Sequence, residues 1–186
     1  MYKQLILASQ SPRRRELMAL CELPFTIINS QVDETLNPAM SLGDAVADLA
    51  YRKALAVFAT HSDSVVIGAD TIVVIDGEVL GKPVEVNVAI EMLRKLAGRV
   101  HNVITGVSII GPGYEETFFS ETAVEFFPLS EEQIKKYVET KGALDKAGAY
   151  GIQDKGALFI KGIVGDYYTV MGLPIARVYQ SLQKYL

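Results

Sequence analysis

The stretch "SVVIGADTIVVIDGEVL" (residues 64–80) carries two signals that together decide the fold. Val65, Val66, Ile67, Ile72, Val73, Val74 and Ile75 make a β-branched run suited to a buried strand. Asp76-Gly77 then supplies a residue pair favoured in two-residue hairpin turns, and "EVL" (residues 78–80) follows as the returning strand. N-terminal to this hairpin the chain alternates strand and helix. "KQLILA" (residues 3–8) reads as a short buried strand and Pro12 to about Leu20 as a helix. "FTIIN" (residues 25–29) reads as a second strand, leading into the polar "SQVDETLNP" (residues 30–38). A long helix begins near Ser41, which can cap it with Asp44 three residues on, and ends near His61.

C-terminal to the hairpin, "NVAIEMLRKLAG" (residues 87–98) is an amphipathic helix with Gly98 as its stop. "HNVITGVSII" (residues 101–110) and "ETAVEFF" (residues 121–127) are strands around the turn "GPG" (residues 111–113). Ser130 with Gln133 forms a capping box for "EEQIKKYVET" (residues 131–140). The glycine-studded "DKAGAYGIQDKGALFIKGIVGDYY" (residues 145–168) carries no clear period, and a last helix starts at Pro174 as its first residue. Strands alternating with helices predict an α/β fold, and two hairpins predict antiparallel pairing within it, hence a mixed twisted sheet with flanking helices. Ligands of such sheets sit beyond the strand ends, so helix starts and strand ends are where chemistry is sought.

The chain has 186 residues, 49% of them hydrophobic and 22% charged, which fits one globular domain over residues 1–186 or two small lobes sharing a core. No apolar run reaches the ~20 residues of a bilayer span, and "LILA" is too short for a signal-peptide core. The single cysteine, Cys21, excludes an intrachain disulfide, suits a reducing cytoplasm and reads as a buried thiol rather than a nucleophile. A formal net charge of −4 argues against general nucleic-acid binding, which needs a basic face. No membrane partner is expected. The local cluster Arg13, Arg14 and Arg15 therefore points to a small anionic ligand. It stands at the start of a helix capped by Ser11 and Pro12, where the dipole disfavours cations and exposed N–H groups attract phosphate.

Two residues break the apolar pattern. Asp70 lies inside the strand run and is either a buried carboxylate satisfied by backbone N–H groups or an arginine, or a functional group. Gly68 two residues earlier permits close backbone approach there. Lys53 falls on the apolar face that Val46, Leu49, Ala50 and Val57 form along the long helix. It either snorkels to solvent or reaches into a cleft to meet phosphate. Lys82, between Gly81 and Pro83, and Asp33 and Glu34 in the polar segment say little alone. With Asp70, a carboxylate from that segment would give oxygen ligands suited to Mg²⁺ or Mn²⁺. His61 and His101 are too few and too far apart for zinc; His61 reads as a helix C-terminal residue and His101 as a strand-edge residue. P-loop, Ser-His-Asp and Rossmann patterns are absent from the sequence. Cations with an oxygen-ligated metal are what phosphoanhydride chemistry needs.

"LILASQSPRRRELM", "VIGADTIVVIDGEVLGKP", "HNVITGVSI" and "DKAGAYGIQDKGALFIKGIVGDYYTVMGLPI" together resemble the signatures of the Maf family, in order and across essentially the whole chain. The resemblance implies a fold similar to inosine triphosphate pyrophosphatases, with two lobes around a deep cleft. It implies hydrolysis of nucleoside triphosphates to the monophosphate and pyrophosphate, dependent on a divalent metal (Mg, Mn or Co). Asp70 matches the family's general base and Glu34 a metal-associated carboxylate. Arg13, Lys53 and Lys82 match cations around the triphosphate, and Ser9 a serine near the phosphates. Glu34 and Asp70 are the metal ligands implied, with Asp70, Glu34 and Lys82 catalytic.

Arg13, Thr71 and Gln153 are the set associated with the branch acting on dTTP and UTP. A glutamine amide offers both a donor and an acceptor to the pyrimidine edge, and a compact threonine leaves room for the ring. A purine pyrophosphatase acting on ITP or XTP, and a nucleotide-sensing regulator of septum formation, are the alternatives. A homodimer is a family expectation. Within the arginine run, residues one apart do not share a helix face. Arg13 is therefore expected as the ligand, Arg14 as a supporting contact and Arg15 in solvent or a surface pairing, with loss of activity on substitution falling in that order.

Overall fold

The computed structural model describes residues 3–140 and 142–185. Its strands are β1 (Leu5–Leu7), β2 (Phe25–Ile27), β3 (Val65–Ile75), β4 (Glu78–Leu80), β5 (Val100–Gly111), β6 (Tyr114–Phe126) and β7 (Ile160–Val164). Its α-helices are α1 (Pro12–Ala19), α2 (Leu42–Phe58), α3 (Val86–Leu96), α4 (Glu131–Val138), α5 (Tyr167–Met171) and α6 (Ile175–Leu182). The strands form one seven-stranded sheet in the order β2-β1-β3-β5-β6-β7, with β4 paired to β3. β1 pairs parallel with both β2 and β3, whereas β4 and β7 pair antiparallel with β3 and β6. The sheet is mixed, as the hairpin signal at Asp76-Gly77 predicts. Both turn residues adopt positive φ, 53° at Asp76 and 76° at Gly77, the backbone that matches the twist of a two-residue hairpin.

The local signals hold closely. Ser11 caps α1 with Pro12 as its first residue, Ser41 caps α2, and Ser130 and Gln133 form the reciprocal box of α4. Three features differ from the sequence reading. Pro174 lies one residue ahead of α6 rather than inside it. β6 begins at Tyr114, well before "ETAVEFF", because its first half alternates half-buried and exposed residues and lacks an apolar run. The glycine-studded stretch holds β7 and the start of α5, both elements five residues long and too short to show a period.

The chain divides into two compact units. The first comprises the described residues up to Thr71, with Thr105–Ser120 and those from Gly172 onward. In it α2 packs Ala54 and Val57 with Ile6, Ala8, Val66 and Ile110. Two glycines set how close α2 lies. A Cβ on Gly68 would fall 2.3 Å from the Ala50 carbonyl oxygen, and one on Gly106 would fall 2.3 Å from that of Val46. The second unit comprises Ile72–Ile104 and the described residues of Glu121–Met171. Its core joins Val73 and Ile75 to Leu93 and Leu96 of α3, Phe126 of β6, Ile134 and Tyr137 of α4, and Tyr150 and Phe159. Among the described residues no helix is long and apolar enough to cross a membrane.

Candidate active site

Gly68 and Asp70 are two residues apart on β3, and this spacing builds the centre of the site. With no side chain at Gly68, the backbone of α2 approaches β3, and the next residue along the α2 apolar face reaches further down the strand. That residue is Lys53. Its Nζ donates to Asp70 Oδ1 at 2.7 Å and stands 2.7 Å from Glu34 Oε1. Its side chain is 9% exposed, so Lys53 does not snorkel to solvent. Asp70 is held by a lysine, where the sequence reading weighed backbone N–H groups or an arginine. Glu34 is 67% exposed and comes from the segment between β2 and α2, where residues 28–37 form neither helix nor strand. One ammonium is thus shared by two carboxylates.

Beside this group, Arg14 spends its guanidinium on the protein. Its Nε donates to the Gly172 carbonyl at 2.8 Å, Nη1 to Ser9 Oγ at 3.2 Å, and Nη2 to Thr71 Oγ1 at 2.9 Å. Thr71 Oγ1 in turn shares a 2.9 Å hydrogen bond with Thr105 Oγ1. Ser9, buried at the end of β1, also accepts from the Ser11 N–H. Burial draws the Arg14 pKa below its ordinary value; Asp70 and Glu34 pull it back up while Arg13 pushes it down. The segment after β1, the middle of β3 and the turn between α5 and α6 are thus tied to one side chain of the first turn of α1. Arg13 and Arg14 are half-buried and Arg15 is exposed, the place expected of Arg15.

The remaining two expected residues belong to the second unit. Lys82 is exposed in the loop after β4, and that loop is tethered by the Gly148 N–H donating to the Gly81 carbonyl at 3.2 Å. Gln153 is exposed in a turn whose next residue, Asp154, is firmly held. Asp154 accepts from Tyr137 Oη at 3.1 Å and from the Gly156 N–H at 2.8 Å. The buried Lys146 lies 3.2 Å from Asp154 Oδ2 and donates to Asp145 Oδ1 at 2.8 Å. The sequence reading does not join Lys146 to Asp154, although a lysine and an aspartate flanking "AGAYGIQ" are a readable sign of a pinned loop.

Among the described residues no group of three or more His, Cys, Asp or Glu side chains is placed to hold a metal. Two carboxylates do fit a cation such as Mg²⁺, which binds through one or two of them and completes its shell with water and substrate phosphate oxygens. The histidines stand apart from this group. His61 Nδ1 lies 3.1 Å from the Val57 carbonyl at the end of α2, and His101 is buried in β5. Cys21 is a buried free thiol whose pKa burial pushes up, which fits an inert group.

A family model described as "Maf-like protein" matches residues 4–185. A dTTP/UTP pyrophosphatase of Bacillus velezensis is 55% identical over 100% of this chain and 98% of its own length. A dTTP/UTP pyrophosphatase of Bacillus cytotoxicus is 50% identical over 98% of this chain and 96% of its own. The solved Staphylococcus aureus Ham1 protein shares the fold at a TM-score of 0.56 with 18% identity, covering 99% of this chain and all of that one. The signature segments, their spacing and a match that runs nearly end to end agree: the chain belongs to the Maf family.

Proposed function

We propose that this chain hydrolyses nucleoside triphosphates, dTTP and UTP above others, to the monophosphate and pyrophosphate. The carrying observation is the pairing of Lys53 with Asp70 and Glu34 at 2.7 Å each, beside an arginine-bearing helix start. The names of the two Bacillus relatives support the pyrimidine preference.

In this reading Asp70 orients a water molecule and accepts its proton as the oxygen attacks the α-phosphorus. The bond between the α-phosphorus and the bridging oxygen breaks, and pyrophosphate leaves with that oxygen. Lys53, Arg13 and Lys82 balance the charge on the phosphates, which is greatest on the departing group. Ser9 lies near the phosphates at the start of α1, where backbone N–H groups favour anions. Thr71 and Gln153 are the residues assigned to the nucleobase, the glutamine amide offering donor and acceptor to its N3–H and carbonyl edge. A divalent cation held by Glu34 and Asp70, when bound, supplies polarisation of the phosphoryl group and neutralisation of its charge.

The test is a panel of dTTP, UTP, CTP, ATP, GTP, ITP and XTP at equal concentration, scored for pyrophosphate with Mg²⁺, Mn²⁺ or Co²⁺. dTTP and UTP should lead, and Asp70→Asn should abolish turnover. ITP or XTP leading would replace the pyrimidine reading with a purine one. Nucleotide held without turnover by the wild type would make the chain a sensor, and an Asp70→Asn variant within a few-fold of wild type would remove the base.

A further inference from the structure

Residue 52 precedes the buried lysine of α2 and meets the backbone of the same segment whose Glu34 side chain Lys53 holds. The Arg52 guanidinium donates through Nη1 to the Asp33 carbonyl and through Nη2 to the Thr35 carbonyl, the latter at 2.9 Å. These are the carbonyls of the residues immediately before and after Glu34. The third donor, Nε, is fixed 2.9 Å from Asp48 Oδ2, one turn earlier on α2. Arg52 is therefore aimed by its own helix and closes a fork on the backbone around one carboxylate.

From this geometry we infer that Arg52 is a positioning residue for Glu34, holding that carboxylate against Lys53 without touching substrate. Residues 28–37 have no helix or strand to fix them, and Glu34 is largely exposed. Its place is set by Lys53 at the side chain and by Arg52 at the backbone. Asp33 tightens the same turn, since its Oδ1 accepts from the Thr35 N–H at 2.9 Å and the Thr35 hydroxyl at 2.7 Å. The fork is specific to a guanidinium, because a lysine ammonium is a point charge and cannot span two carbonyls and a carboxylate in fixed directions. The inference rests on the proposed catalytic role of Glu34, and its test separates the two.

The experiment combines Arg52→Ala and Arg52→Lys with Glu34→Gln, and reads amide hydrogen exchange over residues 31–37 alongside kcat and KM for dTTP. Thermal melting checks that each variant is folded. Both Arg52 variants should speed exchange across that segment and leave exchange in β3 as in the wild type. In the chain with Glu34, each should lower kcat by roughly 10- to 100-fold, the scale of an ångström-sized misplacement, with KM changed much less. In the Glu34→Gln chain, the same Arg52→Ala change should cost less than about twofold, since there is no carboxylate left to place. Equal losses in both backgrounds, or unchanged exchange over residues 31–37, would overturn the inference. A wild-type chain that hydrolyses no nucleoside triphosphate would instead overturn the proposed function, and the clamp would then be decided by exchange alone.

Discussion

Lys53 Nζ lies 2.7 Å from Asp70 Oδ1, joining helix α2 to strand β3 through two side chains that each break an apolar pattern. The pair is largely removed from water, with the side chains 9% and 19% exposed. Taking one partner from such a pair leaves a carboxylate without its counter-charge in a poor solvent. Lys53→Met should therefore destabilise the fold by about 3 kcal/mol, the lower end of the range for breaking a buried pair. Lys53→Met with Asp70→Asn should recover most of that loss, because neither charge then remains buried. Glu34 is mostly solvated and adds little to this balance. Urea denaturation of the four chains measures the coupling, and an additive double variant would show that the pair contributes nothing.

Gly68 makes the same point through the backbone. A methyl group there would lie 2.3 Å from the Ala50 carbonyl oxygen and 2.7 Å from the Ala54 nitrogen, both main-chain atoms that cannot swing away. Gly68→Ala should push α2 off β3, costing roughly 3 kcal/mol, at the upper end for overpacking, and drawing Lys53 away from Asp70. Gly81→Ala is the control, since a Cβ there meets nothing within 4 Å. Melting temperature and turnover should both fall for Gly68→Ala, and neither for Gly81→Ala. A Gly68→Ala chain with unchanged turnover would mean that the close approach of α2 does not set the site.

The arginine run at residues 13–15 separates into distinct roles that stability and activity can tell apart. Arg14→Ala removes donors from Ser9 Oγ, Thr71 Oγ1 and the Gly172 carbonyl together, so it should cost about 2 kcal/mol as well as activity. Arg14→Lys should restore little, because one ammonium cannot reach three partners. Arg15 is exposed, and Arg15→Ala should stay within about 0.5 kcal/mol of wild type with full turnover. Arg13→Ala should lower turnover with a smaller change in melting than Arg14→Ala. The sequence alone ranks Arg14 as a mere supporting contact; its hydrogen bonds predict that it will be the most damaging of the three to the fold.

What was legible and what was not follow from the range of the interactions. The β-branched run around Asp70, the hairpin at Asp76-Gly77, the caps at Ser11, Ser41 and Ser130, and Lys53 on an apolar helix face are all local patterns. Each is written within a few turns of chain, and each is found in the structure. Arg14 bonds a carbonyl 158 residues away, a pairing that no periodicity encodes. Arg52 looks like an ordinary surface residue paired with Asp48 one turn back, and its hold on Asp33 and Thr35 depends on how an irregular segment is laid against the helix. β7 and α5 are short and set among glycines, so packing rather than pattern defines them.

His101 ties stability to pH. It is buried in β5, with Nε2 2.7 Å from Tyr150 Oη, Phe126 edge-on at a centroid distance of 4.9 Å, and Nδ1 without a hydrogen-bond partner among the described residues. Burial also lifts the Tyr150 pKa, so the phenol stays neutral beside it. An imidazolium here would place a charge among aromatic rings with no acceptor for its Nδ1 proton, and burial pushes the His101 pKa down to about 4. In the unfolded chain the group titrates near 6.5. Between these values the unfolded state binds a proton that the folded state refuses, so stability falls as the pH drops from about 6.5 towards 4 and levels off below. The full effect is roughly 3 kcal/mol by proton linkage. His101→Gln, neutral throughout, should flatten the fall in unfolding free energy over that interval while leaving behaviour above pH 7 parallel to wild type. Urea denaturation at half-unit steps from pH 4 to pH 8 measures both curves, and identical slopes below pH 6.5 would assign the acid sensitivity to other groups.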